Sequence, residues 1–423
     1  MLKIFNLEAV KPKIFNLNLN QKQLKTLVNV VHYSLNFFQK RSLPDIYRDI
    51  SIEWSQYRES AVNFKAEDSI KNRGLVRIYR IPPYFKLELN NQYYRKFGLK
   101  EIDKGYLIDL TSYNTIDDYT IDQLSSRKRK QMRSAINRLE SCLDISYKFY
   151  FGNIAPETYN KLMDRAKVFA SERFNQVNKR HHHLGIWKNL KQRFYDLILE
   201  KKASIFVIYD GENPIDICLN YHLKGVTCNI FTSFDINYSK FGLGSIDLYK
   251  QLEWNINNNY SIFDMCMGES NYKKTWSNTP YELKHHVIIK KGSWLSHLIA
   301  IPLLVYLKLR FKLYRYSYEN PNNWILKRLG LSSSDLDKTT KSIETDKAPF
   351  ELMEHEVFKI KLDRTQELDM TSDENLFLKK SYLDYLHRQK VHKNGTKAYQ
   401  SLDNKDTYYI KSANNILEIN VKR

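Results

Sequence analysis

Two glycines, Gly242 and Gly244, stand between an apolar stretch and an amphipathic stretch of the chain. Glycine allows left-handed backbone conformations and lets a ligand approach the main chain closely. A helix that begins at such a turn offers unbonded N–H groups and the positive end of its dipole, and both attract phosphate. The turn is therefore a candidate site for a phosphorylated ligand. The alternative is an ordinary tight turn.

A polar loop follows one predicted helix later and contains four titratable side chains. They are Asp264, Glu269, Tyr272 and Lys273. Such residues beside a phosphate-binding turn are candidates for proton transfer and anion binding. In the alternative interpretation Asp264 caps the end of a strand and the lysines are solvated.

The elements that must position these residues can be read from periodicity. Apolar and β-branched runs bounded by Asp-Gly and Lys-Gly turns predict strands, and helical spacing predicts the helix after the Gly-turn. Strands are predicted at 203–209, 215–222 and 226–234. The Gly-turn follows, then a helix at 245–258 and two further strands at 262–265 and 283–290. Upstream, helical spacing from Leu124 to Leu143 predicts a helix with Ser125 and Ser126 as candidate caps, and further helices are predicted after Pro156 and from Trp187. This order indicates an α+β fold.

The whole constellation resembles the GNAT acyltransferases, in particular their CelD/BcsL-type acetyltransferase branch, which is related to the Fem peptidyltransferases. The matching motifs, within residues 106–290, are Phe241-Gly242-Leu243-Gly244, Phe263-Asp264, Gly268-Glu269, Tyr272-Lys273 and Trp276. Two positions depart from the family pattern: Ser239 replaces the usual Arg or Gln, and Cys266 replaces a small residue. The resemblance implies a GNAT-like mixed, mostly antiparallel sheet flanked by helices.

The resemblance also implies where acetyl-CoA or another acyl-CoA would bind. Its pyrophosphate would lie on the Gly-turn, and the backbone of the strand 229–234 would contact the pantetheine arm and polarise the thioester carbonyl. Lys240 adds a charge nearby. The candidate cofactor-binding residues are Phe231, Thr232, Ser233, Lys240, Phe241, Gly242, Leu243, Gly244 and Ser245.

Acyl transfer from a thioester needs a base for the acceptor proton, and often an acid for the leaving thiolate. Glu269 and Asp264 are the candidates for the base, and Tyr272 is the candidate acid. Lys273 is a candidate for binding an anionic acceptor or phosphate. The acceptor would attack the thioester directly, without a covalent enzyme intermediate.

Three functions are consistent with this pattern. The first is an acyl-CoA-dependent N- or O-acyltransferase with an amine or hydroxyl on a small molecule, sugar or peptide as acceptor, for which cell-envelope or polysaccharide metabolism is one setting. The second is a Fem-like transferase that uses aminoacyl-tRNA. The third is a non-catalytic scaffold of surface-polysaccharide machinery.

Composition limits these alternatives only broadly. The 423 residues carry a net charge of +20, spread along the chain, which suits an anionic partner such as CoA, lipid or RNA. The four cysteines lack metal-ligand spacing, so we expect no metal and reduced thiols, as in a cytoplasmic protein. The chain has no Walker loop, Gly-x-Ser-x-Gly elbow or His-Glu-x-x-His motif. The mid-chain triplet His181–His183 is expected to be a surface loop.

Five segments are expected along the chain. They are an N-terminal α/β region (1–105), which could be a degenerate GNAT-like half, a GNAT-like domain (106–292), an apolar and basic helical segment (293–331), a linker (332–349) and a small α+β extension (350–423). Within the helical segment, 294–315 is either a plain core helix or a peripheral membrane contact. It is too short and too interrupted by Pro302 to be expected to span a membrane.

Overall fold

The computed structural model describes residues 47–51, 63–65, 75–88, 91–176, 187–319, 351–357, 362–370, 372–413 and 415–422. The His181–His183 triplet, the expected linker 332–349 and much of the region 1–105 lie outside the described residues. The described chain forms two compact units. The smaller unit contains described residues 47–102 and 282–319, and the larger unit contains described residues 103–281 and 351–422.

The elements are numbered in chain order. The first are β1 (Tyr47–Ser51), β2 (Asn63–Lys65), β3 (Leu75–Ile81), β4 (Lys86–Glu88) and β5 (Tyr94–Asp109). The central elements are α1 (Ile116–Gln123), α2 (Ser126–Cys142), β6 (Ile145–Tyr150), α3 (Pro156–Gln176), α4 (Trp187–Leu199), β7 (Ala203–Asp210), β8 (Asn213–Leu223), β9 (Val226–Phe234), α5 (Leu243–Asn257), β10 (Ile262–Met267), α6 (Asn271–Trp276) and β11 (Thr279–Lys290). The last are α7 (Trp294–Glu319), β12 (Glu351–Val357), β13 (Thr365–Leu368), α8 (Leu376–Gln389), β14 (Lys397–Ser401), β15 (Thr407–Lys411) and β16 (Ile416–Lys422).

The sheet of the larger unit runs in the order β5-β10-β9-β8-β7-β6. Its strands pair antiparallel except for β9 and β10, which are parallel and are connected by α5. A parallel pair needs such a crossover, whereas tight turns suffice for the β7–β8–β9 meander. The predicted mixed, mostly antiparallel α+β fold is confirmed.

Helix boundaries upstream of the meander follow local capping. The Ser125 hydroxyl accepts a hydrogen bond from the Lys128 N–H and starts α2, as the sequence predicts. Leu124, which the helical spacing included, is instead extended and closes the separate helix α1, which was not predicted. A capping box at Thr115 and Asp118 begins α1.

The C-terminal residues of the larger unit form a second, antiparallel sheet in the order β12-β16-β15-β14-β13. Helix α8 buries Leu378, Leu383 and Leu386 in the same core as Leu139 of α2 and Leu252 of α5. Buried Asp235, just before the Gly-turn, accepts a 2.8 Å hydrogen bond from Lys379 Nζ. The C-terminal sheet and α8 thus brace the segment that carries the Gly-turn.

In the smaller unit, β1 and β3 are parallel, and β3 and β11 are antiparallel. Helix α7 covers this sheet. The predicted helix from Trp294 is confirmed, but it continues through Pro302 to Glu319, so Pro302 does not end it. Among the described residues, no helix is long and apolar enough to cross a membrane.

Candidate active site

The two parallel strands of the larger unit, β9 and β10, separate after a short paired stretch. They pair from Val226 with Ile262 to Cys228 with Asp264, and the described chain has no ladder pair between them beyond that point. A bulge at Ile230 shifts the register of β9 on β8. Cys266 has φ +60°, a conformation that breaks the regular course of β10. The segment 229–234 therefore has no ladder partner on its β10 side within the described chain, while its other edge stays paired with β8.

Most side chains on this stretch of β9 make contacts within the protein. The centroids of the Phe231 and Trp187 rings lie 5.0 Å apart in the core. The Ser233 hydroxyl donates to the Ala166 carbonyl. The Thr232 hydroxyl lies 3.1 Å from Asn229 Oδ1 and is half-buried. Any contact with a ligand by Phe231 or Ser233 must therefore come from their main chain.

The Gly-turn begins with a short 3-10 helix, Ile236–Phe241, which Asp235 caps. Gly242 then adopts φ +73°, where only glycine is unstrained, and α5 starts at the next residue. Positive φ is required at Gly242 and not at Gly244, so our expectation for the second glycine was wrong in this respect. Gly244 serves differently: a Cβ at this position would meet no atom within 4 Å.

The backbone of the turn leaves two N–H groups for a ligand. The Gly242 N–H donates to the Ser239 carbonyl, and the Ser245 N–H donates to the Gly242 carbonyl at 3.0 Å. The N–H groups of Leu243 and Gly244 make no hydrogen bond within the described part of the chain. Two adjacent free donors at a helix N terminus, beside the open space at Gly244, fit a phosphate group.

The predicted cofactor-binding residues around the turn divide into anchors and exposed groups. Phe241 and Leu243 are buried core residues, which hold the turn in place. Lys240 and Gly242 are exposed, and Gly244 and Ser245 are half-buried. Only the exposed and half-buried residues are therefore positioned to meet a ligand.

Helix α5 is fixed to the sheet by buried polar pairs. The Asn220 side chain donates to Gln251 Oε1 at 2.8 Å, and the Thr227 hydroxyl donates to Asn255 Oδ1. These pairs join β8 and β9 to successive turns of α5. They set the direction in which the N terminus of the helix points.

The loop after β10 reaches back to the Gly-turn through Tyr272. Its hydroxyl donates a 2.7 Å hydrogen bond to the Gly244 carbonyl. Burial of the hydroxyl, reinforced by the Asp247 carboxyl, raises the pKa of Tyr272 well above its usual value. The structure thus brings a protonated phenol, predicted from the sequence, to the turn.

Lys273 and Glu269 occupy different surroundings in the same loop. The Lys273 amine donates to the Met267 carbonyl at 2.7 Å, and burial lowers its pKa. Glu269 is exposed and forms an ion pair with Lys274. Lys273 therefore stabilises the loop where β10 ends, whereas Glu269 remains accessible from solvent. The role of each in catalysis stays a prediction.

Asp264 is enclosed more completely than the sequence indicates. One carboxylate oxygen accepts from the Cys266 N–H and the other from the Tyr281 hydroxyl, both at 2.8 Å. Burial and the Asp264 charge raise the pKa of Tyr281, which therefore stays a donor. Gly105 makes room for this ring, because a Cβ there would lie 2.0 Å from Tyr281 Cζ. Sequence reasoning missed Tyr281 and Gly105, since neither belongs to a motif.

Close to Asp264 are two thiols. Cys228 Sγ and Cys266 Sγ lie 3.0 Å apart, on the last paired residue of β9 and on the bent end of β10. Together with an Asp264 oxygen they form a set of three potential ligand atoms within 4.8 Å. The expectation that the protein uses no metal stays a prediction.

A second buried group lies between β8 and α5, and it was not predicted. The Cys218 thiol is 3.3 Å from Asp216 Oδ1 and 3.2 Å from Asp247 Oδ2. Each carboxyl keeps one buried oxygen without a hydrogen-bond partner in the described chain. Burial raises the pKa of Asp216 to about 7, and burial with the Asp216 charge raises that of Asp247. This pair is thus protonated more readily than ordinary carboxyls.

Replacing Asp216 with Asn should change how stability depends on pH. The folded-state pKa of Asp216 is raised to about 7 from 3.8, so its contribution to stability is present at low pH and is lost as the pH rises toward 7. The wild type should lose up to about 1.4 kcal/mol per pH unit relative to Asp216→Asn across this range. Urea unfolding at several pH values measures the difference, with the exposed Asp196→Asn as control. A pH-independent difference would contradict the assignment.

The comparisons with known proteins agree with this geometry in one segment of the chain. Residues 126–274 match the family model described as "Acetyltransferase (GNAT) domain". No curated protein matches the chain.

Several solved structures are similar to the chain at a low level. L-PGS from Bacillus licheniformis shares 18% identity, with 56% of this chain and 74% of that chain covered and a TM-score of 0.34. FemX shares 10% identity, with 55% of this chain and 77% of that chain covered and a TM-score of 0.38. A conserved protein of unknown function from Bacteroides thetaiotaomicron shares 12% identity, with 53% of this chain and 73% of that chain covered and a TM-score of 0.35. The assignment depends on the family match, the Gly-turn and the separated strands: residues 126–274 of this chain form a GNAT acetyltransferase domain of the CelD/BcsL type.

Proposed function

We propose that this protein is an acyl-CoA-dependent acyltransferase that acts on an amine or a hydroxyl. The observation that carries the proposal is the separation of β9 and β10 beside the free N–H groups of Leu243 and Gly244. A separated pair of parallel strands offers backbone to an extended ligand, and the helix N terminus offers donors to its phosphates. Acyl-CoA contains both an extended arm and a pyrophosphate.

The pyrophosphate would be held by the backbone of residues 242–245, with the Lys240 charge nearby. Gly244 supports this assignment, because the absence of a side chain leaves space directly above the free donors. The main-chain N–H groups of the segment 229–234 would face the arm and polarise the thioester carbonyl. The residue expected at position 239 in the family is missing, so binding would rely mainly on backbone donors.

In the reaction, the acceptor nitrogen or oxygen attacks the acyl carbon and displaces CoA as its thiolate. A base takes the proton from the acceptor, and an acid supplies a proton to the thiolate. We assign the base to Glu269, because Asp264 has both oxygens engaged by Cys266 and Tyr281. Tyr272 is the proposed acid, since its hydroxyl lies at the Gly-turn, where it donates to the Gly244 carbonyl. Lys273 would stabilise the loop, and it would also bind an anionic acceptor near the surface of the loop.

The alternative is a Fem-like transferase that uses aminoacyl-tRNA and acts on a cell-wall precursor. The net charge of +20 favours it, because an RNA partner is recognised largely through its phosphates. Ser239 favours it as well, since it removes one side-chain contact expected for CoA. A scaffold without catalysis would bind neither donor.

Titration calorimetry with acetyl-CoA, longer acyl-CoAs and bulk tRNA distinguishes these functions. The acyltransferase should bind at least one acyl-CoA at micromolar concentration, with an affinity that depends weakly on the acceptor. Binding of tRNA alone, weakened steeply by salt, would favour the alternative and overturn our proposal. Heat from neither ligand would favour the scaffold.

A further inference from the structure

Helix α7 in the smaller unit is apolar on two opposite faces. Its inner face buries Ala300, Leu303, Leu304 and Leu307 against the strands β3 and β11. On the opposite side, Trp294 is 75% exposed and Leu298 is 61% exposed. Each residue of an α-helix is rotated by about 100° from the one before. This rotation places three further, half-buried residues on the same side: Ile301, Val305 and Leu309. We call these five residues, Trp294, Leu298, Ile301, Val305 and Leu309, the outer stripe.

The charged side chains along the chain from 283 to 318 have one sign. The sequence contains no Asp or Glu between positions 283 and 318. Lys290 and Lys291 are exposed just before α7, and Arg310 and Lys312 are exposed toward its C-terminal half. The stripe is therefore an apolar strip with basic residues at both ends.

A second aromatic residue lies beside the exposed end of the stripe. Tyr93 is 57% exposed, and its carbonyl accepts a 2.8 Å hydrogen bond from the Lys291 N–H, three residues before Trp294. Tryptophan and tyrosine side chains prefer the boundary between lipid and water, because they combine an apolar ring with a polar group. Both aromatic residues thus suit a bilayer surface.

We propose that α7 binds the surface of an anionic lipid bilayer, lying flat with its outer stripe in the interface. The basic residues at both ends would contact the lipid head groups, while the inner face stays packed on the protein. An exposed apolar strip flanked by basic residues suits such a surface. The two proposals rest on different residues, the outer stripe in the smaller unit and the Gly-turn in the larger unit, so neither depends on the other.

A second copy of the chain is a less suitable partner. Pairing two outer stripes about a two-fold axis would bring Lys290 and Lys291 of one copy toward Arg310 and Lys312 of the other. Like charges at both ends would oppose that contact. Anionic lipid instead complements all of these residues.

Vesicle flotation with the full chain tests the proposal. The protein should bind vesicles that contain phosphatidylglycerol, bind phosphatidylcholine vesicles weakly or not at all, and lose binding at high salt. Trp294→Ser combined with Leu298→Ser should weaken binding to the anionic vesicles by about 10-fold or more. Leu402→Ser is the matched control, because Leu402 is also 61% exposed but lies in the larger unit.

The basic residues are tested separately. Arg310→Ser combined with Lys312→Ser should weaken binding by about fivefold per charge removed. The control replaces two exposed lysines of α3, Lys161→Ser with Lys167→Ser, which should leave binding unchanged. All four positions are exposed, so circular dichroism should show an unchanged fold in every variant.

Three results would overturn the membrane assignment. One is the absence of binding to anionic vesicles. Another is binding that the stripe variant and its control affect equally. The third is a concentration-dependent dimer, seen by light scattering, that Leu298→Ser dissociates while vesicles are never bound.

Discussion

Replacing Gly244 with valine should reduce acetyl-CoA affinity by about 100-fold or more. The valine Cβ and its methyl groups would fill the open space beside the free N–H groups of Leu243 and Gly244. Losing two hydrogen bonds to a charged phosphate, each worth about 1.5–3 kcal/mol, gives a loss of this size. Calorimetry with acetyl-CoA measures it.

The fold should survive this substitution. Gly244 lies in the first turn of α5 outside the left-handed region, and valine has a better helix propensity than glycine. Gly395→Val is the matched control, since a Cβ there also meets no neighbour. An unchanged dissociation constant for Gly244→Val, with the melting temperature intact, would move the phosphate site elsewhere.

Changing Glu269 to Gln should lower turnover by about 100-fold while leaving acetyl-CoA affinity near that of the wild type. The amide keeps the size of the side chain but cannot accept the acceptor proton. Turnover is measured as release of free CoA thiol with an acceptor found by screening amines and alcohols. Glu200→Gln is the control, because Glu200 is also exposed and paired with a lysine, Lys202.

A result in which Glu269→Gln and Glu200→Gln both retain full turnover would remove Glu269 from the mechanism. Tyr272→Phe then becomes informative. If Tyr272 is the acid, its loss should slow the reaction less than loss of the base, and mainly for poor leaving groups. Loss of acetyl-CoA affinity in Tyr272→Phe would instead indicate that its bond to the Gly244 carbonyl mainly shapes the turn.

The sequence predicts the parts of this fold that depend on local pattern. The strands of the meander, the helix after the Gly-turn and the Gly-turn itself follow from alternation, helical spacing and glycine chemistry. Helix α1 was missed, and Leu124 fits the helical spacing of α2 although its own backbone is extended.

The parts that the sequence could not predict depend on residues that meet only in the folded chain. Tyr281 meets Asp264 and needs the space left by Gly105, and Asp216 meets Asp247 across the packing of α5 on β8. The residues next to each of them in the sequence do not indicate these contacts. For 294–315 the sequence left a core helix and a membrane contact open, because apolar residues on both faces of a helix do not reveal which face is covered.

A crystal structure of the protein with bound CoA tests the central claim most directly. We predict that the pyrophosphate contacts the N–H groups of Leu243 and Gly244, and that the pantetheine arm enters between β9 and β10 beyond Cys228 and Asp264. CoA bound at any other surface, with the cleft between these strands empty at saturating ligand, would contradict the account.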